Sequence, residues 1–272
     1  MNDRVRITID DNGVADVALV RSDKMNALDF AMFDALSAAI SRLKAEPGLR
    51  AVVLHGEGKA FCAGLDMGRM ARLNNGEPGA TRDLRPRTHG IANSAQYVGL
   101  GWREIPVPVI AAVHGVAFGG GLQVALGADI RLVTADLKMS VMEIKWGLVP
   151  DMAGVVLMRG LVRDDHAREL TYTGRIVSGT EAVALGLATR VCADPLAEAR
   201  AMAQALAQRS PSALRADKRL MNASSQVLAD SARALLQAES DEQVALMGQP
   251  NQLEAVRSNM EQRAPAFSTA QA

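Results

Sequence analysis

Residues 105–133 read I-P-V-P-V-I-A-A-V-H-G-V-A-F-G-G-G-L-Q-V-A-L-G-A-D-I-R-L-V, and residues 140–154 read S-V-M-E-I-K-W-G-L-V-P-D-M-A-G. The apolar run Val107 to Val113 has the length and β-branched content of a buried strand, and it ends at a His-Gly turn. A second short run follows, then Gly119, Gly120 and Gly121 open a helix. Glycines there let the backbone approach a bound group closely, and the orphan N–H groups of a helix start can stabilise developing negative charge. Twenty residues beyond Gln123 stands Glu143, a carboxylate with apolar neighbours on both sides. Asp151 follows in a P-D-M-A-G turn. Donors and carboxylates in one stretch point to proton transfer beside an oxyanion.

Taken alone, three glycines before a helix equally describe a close-packed strand-to-helix turn. The device occurs twice, however. Ala51 to His55 is another apolar run reaching His-Gly, followed by A-F-C-A-G-L-D-M, with Ala63-Gly64 leading into a helix expected over 66–73. Two backbone N–H groups, from Ala63 and Gly120, are expected to converge on one carbonyl oxygen as an oxyanion hole built from main chain.

Working outward, the 272 residues suffice for one large domain plus an appendage. Apolar residues make up 49% but aromatics only 3%, so the core has to be built from Ala, Val, Leu, Ile and Met. The 30 basic and 30 acidic residues cancel, leaving no cationic field to attract nucleic acid or a membrane surface. With Cys62 and Cys192 the only cysteines, a disulfide framework is not indicated and a reducing cytoplasm fits. No run approaches membrane-spanning length, and the N-terminus does not read as a signal peptide. No metal-ligand spacing, P-loop or Ser/His/Asp order occurs. His55, His114 and Cys62 are read as structural.

Val5, Ile7 and Ile9 alternate with polar residues and turn at Asp10 to Gly13 into Val17 to Val20, a β-hairpin. A helix follows with Phe33, Leu36, Ile40 and Leu43 on one face, Asp29 as N-cap and Pro47-Gly48 as its stop. Residues 74–90 are polar, Gly/Pro-rich and carry three arginines; they read as an irregular loop. Short strands are expected over 130–133 and 138–141, and helices over 153–161 and 165–172. Ser178 to Glu181 forms a capping-box pattern, and Asp194-Pro195 and Ser210-Pro211 each place an N-cap before a proline. From Pro195 the pattern is helical throughout, giving an expected division into residues 1–194 and 195–272. The later helices have apolar faces suited to packing on sibling subunits.

These pieces together resemble the crotonase (enoyl-CoA hydratase/isomerase) superfamily over nearly the whole length. The resemblance is carried by R-S-D-K-M-N-A-L-D (21–29), F-C-A-G-L-D-M (61–67) and P-V-I-A-A-V-H-G-V-A-F-G-G-G (108–121). A-D-I-R-L, M-E-I-K-W-G-L-V-P, S-G-T-E-A-V-A-L-G-L-A and E-Q-R-A-P-A-F add to it. It implies an α/β fold made of a spiral of ββα turns with a C-terminal helical region that builds trimers, or dimers of trimers. It also implies an acyl-CoA thioester as substrate, with no separate cofactor. The matching positions imply substrate contacts at Lys24, Met25, Ala27, Ala63, Gly64, Leu65, Asp66, Gly120 and Gln123. Lys24 would face the CoA phosphates, whereas the tail P-A-F-S-T has Ser268 where relatives place a base that reaches CoA.

Position 123 departs from the family pattern. Its typical hydratases use two glutamates on opposite sides of a water; the second maps onto Glu143, but the first maps onto Gln123, which accepts no proton at neutral pH. Isomerisation of a double bond needs one base and an oxyanion hole. Glu143 is the expected catalytic base, with Asp151 as the second catalytic carboxylate, the position at which the family's dienoyl-CoA isomerases carry an aspartate. Those isomerases also have an aspartate at the position of Gln123. The dehalogenases that use the Asp151 position as nucleophile carry a tryptophan in place of Glu143, and capping of a helix at Met152 is the plain alternative for Asp151. Isomerase chemistry is therefore expected first and hydration second. A non-catalytic module is a distant third, since the absence of net charge argues against RNA.

Overall fold

Val5–Ile9 (β1) and Val14–Leu19 (β2) form the hairpin, in the register Val5 opposite Leu19 and Ile9 opposite Ala15. The Asp10 carboxylate fixes the turn by accepting from the Asn12 and Val14 amides. Strand β2 then enters a parallel series with Ala51–Gly56 (β3), Val109–Val113 (β4), Ile130–Val133 (β6) and Arg190–Val191 (β9), giving the sheet order β1-β2-β3-β4-β6-β9. Val116–Phe118 (β5), Lys138–Ser140 (β7) and Val177–Ser178 (β8) make a second, three-stranded sheet. Each turn of the spiral leaves the large sheet, touches the small one and returns through helix. An isolated bridge from Cys62 to Ala117 gives β3 the same exit. The structure, a computed structural model, describes residues 4–75, 77, 79 and 82–267. Among them, no helix is long and apolar enough to cross a membrane.

The helices are Phe30–Lys44 (α1), Met67–Asn74 (α2), Ser94–Glu104 (α3), Gly120–Gly127 (α4), Gly154–Met158 (α5), Asp164–Thr173 (α6), Gly179–Leu185 (α7), Pro195–Ala207 (α8), Pro211–Ser225 (α9), Asp230–Leu246 (α10) and Pro250–Glu261 (α11). Asp29 caps α1 by accepting from the Met32 amide at 2.8 Å. Asp194 and Ser210 cap α8 and α9 in the same way. Ser178 accepts from Glu181, but Glu181 turns to Arg175, so that box is one-sided. A reciprocal box occurs instead at Asn93 and Gln96, at the start of α3. That helix, which no apolar periodicity marks in the sequence, brings fully buried Trp102 into the core beside Leu100 and Val98.

Helix α8 lays Ala199, Ala203 and Ala207 on Val53, Ile110 and Leu132 of the large sheet. Small residues spaced four apart let a helix sit close to a flat β surface. The first of the later helices therefore covers the core of its own chain. Farther on, α11 braces the 3₁₀ turn Glu143–Trp146: Gln252 and Asn259 donate to the Trp146 and Lys145 carbonyls at 3.3 and 2.7 Å. Residues 82–90 are irregular, as expected, yet fastened. Arg87 donates to Gln96, Ser240 and the Leu236 carbonyl, and Arg82 grips Asp34 through two bonds of 2.7 and 2.9 Å. Residues 76, 78, 80 and 81 of the same segment lie outside the described residues.

Candidate active site

A cavity of about 610 Å³ opens where the two glycine-bearing turns meet. Gly64 and Phe118 to Gly120 stand side by side on its wall. Gly64 has φ +85°, and a β-carbon there would lie 2.5 Å from the Phe118 carbonyl oxygen and 3.7 Å from the Gly120 nitrogen. Any side chain at position 64 would push the turns apart, so glycine is what permits their contact.

The amides of these turns differ from expectation at one position. Ala63 lines the cavity, but its N–H donates to the Met25 carbonyl at 2.9 Å and is not available to a ligand. This corrects the assignment of Ala63 as an oxyanion donor. The neighbouring strand sets the alternation: Leu28 takes the Gly64 carbonyl and the Asp66 amide, leaving the Leu65 N–H directed away from that ladder. Among the described residues, Leu65 N–H has no hydrogen-bond partner, and neither has Gly120 N–H at the first position of α4.

Glu143 begins its 3₁₀ turn with 8% of its surface exposed. Its Oε1 accepts from Gln123 Nε2 at 2.7 Å, while among the described residues Oε2 has no partner. Burial pushes its pKa up to about 7; the charge of Asp151 adds to the rise, and the Gln123 bond opposes it. Asp151 is likewise raised by burial, to about 6, against the pull of the Arg69 guanidinium and the Gln243 side chain. Both carboxylates line the cavity and act on each other electrostatically. Asp151 does not cap α5, whose N-cap residue is Ala153.

Gln123 requires a second correction. It is 2% exposed and does not line the cavity, where a substrate contact was expected of it. Its carbonyl oxygen accepts from the Met152 and Gly154 amides at 2.9 and 2.8 Å, and its amide nitrogen donates to Glu143. The two backbone donors fix which end of the side chain faces Glu143.

The sequence profile of the enoyl-CoA hydratase/isomerase family matches residues 10–270. A Thermus thermophilus protein assigned by name to the enoyl-CoA hydratases is 35% identical over 217 residues, 79% of this chain and 83% of its own. The chain belongs to the enoyl-CoA hydratase/isomerase family. The mitochondrial Delta(3,5)-Delta(2,4)-dienoyl-CoA isomerase of Dictyostelium discoideum is 29% identical, over 78% of this chain and 74% of its own. The crystal structure of an enoyl-CoA hydratase/isomerase from Mycobacterium paratuberculosis superposes with a TM-score of 0.83 at 28% identity, covering 94% of this chain and 98% of that one. The spiral fold is thus that of the crotonase superfamily.

In this family member, Lys24, Met25, Ala27, Leu65 and Asp66 also border the cavity. The loop that carries the first three is shaped by Asn26, fully buried at φ +56°, whose side chain reaches the Arg21 amide and the Glu57 and Ala60 carbonyls. Arg21 holds Asp66 at 2.7 Å. Further wall residues are Arg69 and Arg82, whose guanidiniums lie 4.2 and 4.6 Å from the Phe30 ring centre, Gln243 of α10, and Met247 just past its end. Their selection depends on long-range packing, and only the arginine-rich composition of the loop hinted at it. Cys62 is buried, donates to the Asn26 carbonyl and has its pKa pushed up to about 12 by burial, so it is no nucleophile. His55 bonds Asp16 and His114 bonds the Gly58 carbonyl, both away from this cavity. Ser268 lies outside the described residues.

Proposed function

We propose that the protein isomerises the double bond of an enoyl-CoA thioester, with Glu143 as the base. The observation that carries this reading is the double commitment of Gln123: its acceptor is taken by two amides and its donor by Glu143. No acceptor remains at position 123 to orient or deprotonate a water, and no carboxylate stands there to complete a hydratase pair.

In this mechanism the thioester oxygen accepts from the Leu65 and Gly120 N–H groups. The Glu143 carboxylate removes a proton from the carbon α to the carbonyl, and the electron pair passes into a dienolate whose negative charge rests on that oxygen. The carboxylic acid then returns the proton to the γ-carbon, moving the double bond into conjugation and regenerating the carboxylate. A pKa near neutrality suits Glu143 to both halves of the cycle. Asp151, bonded by Gln243, is proposed to exchange a proton when the substrate carries a second double bond. Lys24 at the mouth is proposed to meet the CoA phosphates. The exposed apolar side chains of Leu220, Met221, Tyr172 and Ile176 support assembly into trimers, or dimers of trimers.

Hydration is the second reading, favoured by the hydratase names among the relatives. Purified protein assayed against 2-enoyl-, 3-enoyl- and 3,5-dienoyl-CoA separates the two. Turnover of the 3-enoyl or dienoyl substrate well above hydration is expected, and the reverse order overturns the isomerase reading.

A further inference from the structure

Four consecutive amides in the turn that carries Asp151 are taken alternately by two side chains. Gln123 Oε1 accepts from Met152 and Gly154. Glu239, from α10, accepts from Ala153 at 3.0 Å through Oε2 and from Val155 at 3.2 Å through Oε1, and Gln96 Nε2 donates to the same carboxyl at 3.2 Å. The turn does not hold this shape on local grounds. Ala153 sits at φ +69°, a left-handed conformation that costs a non-glycine residue ~1–2 kcal/mol. A β-carbon on Gly154 would lie 2.6 Å from Gln123 Oε1. Amides alternating in direction need acceptors on both sides, and Gln123 supplies only one. One helical turn beyond Glu239, Gln243 reaches the Val149 amide and Asp151 itself. Glu239 is 5% exposed and forms no part of the cavity wall.

We propose that Glu239 is a positioning residue for proton transfer. By holding the Ala153 and Val155 amides it sets the turn from which Asp151 projects, and it keeps the Met152 and Gly154 amides on Gln123, which in turn aligns Glu143. Helix α10, distant in sequence from the glycine motifs, thereby tunes the base without touching substrate. The inference rests on reading Glu143 and Asp151 as the proton-transfer groups. It extends that reading to a buried carboxyl with no chemistry of its own.

The test compares wild type with Glu239→Gln, which keeps the volume but sets an NH₂ group against one of the two amides. Glu239→Met, which removes both acceptors without leaving a buried charge, serves if the first variant does not fold. Hydrogen exchange at amides 152–155 is expected to accelerate at least ~tenfold while β3 and β4 stay protected. On the 3-enoyl substrate kcat is expected to fall roughly tenfold with KM changed less than about twofold. A folded variant with wild-type kcat despite faster exchange at 152–155 overturns the proposal, as does unchanged exchange. Equal loosening of β3 and β4 also overturns it, by reducing Glu239 to a general stabiliser. Wild type inert on every enoyl-CoA refutes the proposed function instead, and the exchange comparison alone then decides whether Glu239 sets the turn.

Discussion

Replacing Gln123 by glutamate changes one group: the NH₂ that donates to Glu143 Oε1 at 2.7 Å becomes an oxygen. The other oxygen keeps the Met152 and Gly154 amides, so the new side chain has no reason to swing away. Two ionised carboxylates would then face each other in a buried site. At ~4 Å between charge centres and an effective dielectric constant of ~20, their repulsion is ~4 kcal/mol. That corresponds to ~3 pH units at 1.36 kcal/mol each. Glu143 titrates at about 7 before the change, so the pair retains one shared proton throughout neutral pH. A shared proton supplies both an acid and a base, which is what hydration lacks in the wild type. Hydration of a 2-enoyl-CoA, followed by loss of the conjugated thioester absorbance, should rise ~10²-fold. Isomerisation at pH 7 should fall, and its acid limb should move to higher pH. If both rates and the pH profile are unchanged, position 123 does not govern the protonation of Glu143 and the reasoning fails.

Gly120→Pro removes one of the two amides assigned to the thioester oxygen, at a first-turn position where proline is tolerated. Isomerase kcat should drop roughly 10²–10³-fold with the circular dichroism spectrum retained, and a near-normal rate would place the oxygen elsewhere. Trp102→Ala empties a fully buried site and should lower stability by about 3–5 kcal/mol, read from urea unfolding; a loss well under this would mean that α3 is not part of the core. Glu143, Asp151 and Glu239 are raised by burial to about 7, 6 and 8. In the folded state they hold protons that the unfolded chain releases at ordinary carboxylate values. The stability they contribute is therefore complete below about pH 4 and is lost as pH rises towards about 8. Glu239→Gln should flatten the fall in Tm between pH 5 and 8, and an unflattened profile would count against its raised pKa. Light scattering should find a trimer or hexamer at micromolar concentration, and a monomer there would remove the proposed assembly.

What the sequence revealed was local. Alternating Val and Ile marked the hairpin, Asp29 and Asp194 announced their helices by capping them, and the two glycine turns pointed to a shared wall because each follows a buried strand. Helix α3 is hidden in the sequence because Gly99 and Gly101 interrupt its apolar face just after an irregular segment, although Asn93 and Gln96 have the spacing of a capping box. Which amide of Ala63-Gly64-Leu65 is free was not legible, because the Met25 carbonyl and Leu28, nearly forty residues earlier, decide it. The same limit applies to Gln123. Its identity signalled a departure from the hydratase pair, but only the packing of residues 152–154 shows that both ends of the amide are occupied. Glu239 and Gln243 looked like polar residues on a helix suited to subunit packing, and their burial against the Asp151 turn is a tertiary fact.

The central claim is that one carboxylate, Glu143, takes the α-proton and leaves an enolate on two backbone amides. Exchange of that proton into deuterated water, followed by mass spectrometry of a thioester whose double bond cannot migrate, measures this step without the rest of the cycle. Wild type should incorporate deuterium at the α-carbon and Glu143→Gln should lose at least ~10³-fold of that rate, in line with removal of a general base. A Glu143→Gln protein that exchanges the α-proton as fast as wild type would contradict the account.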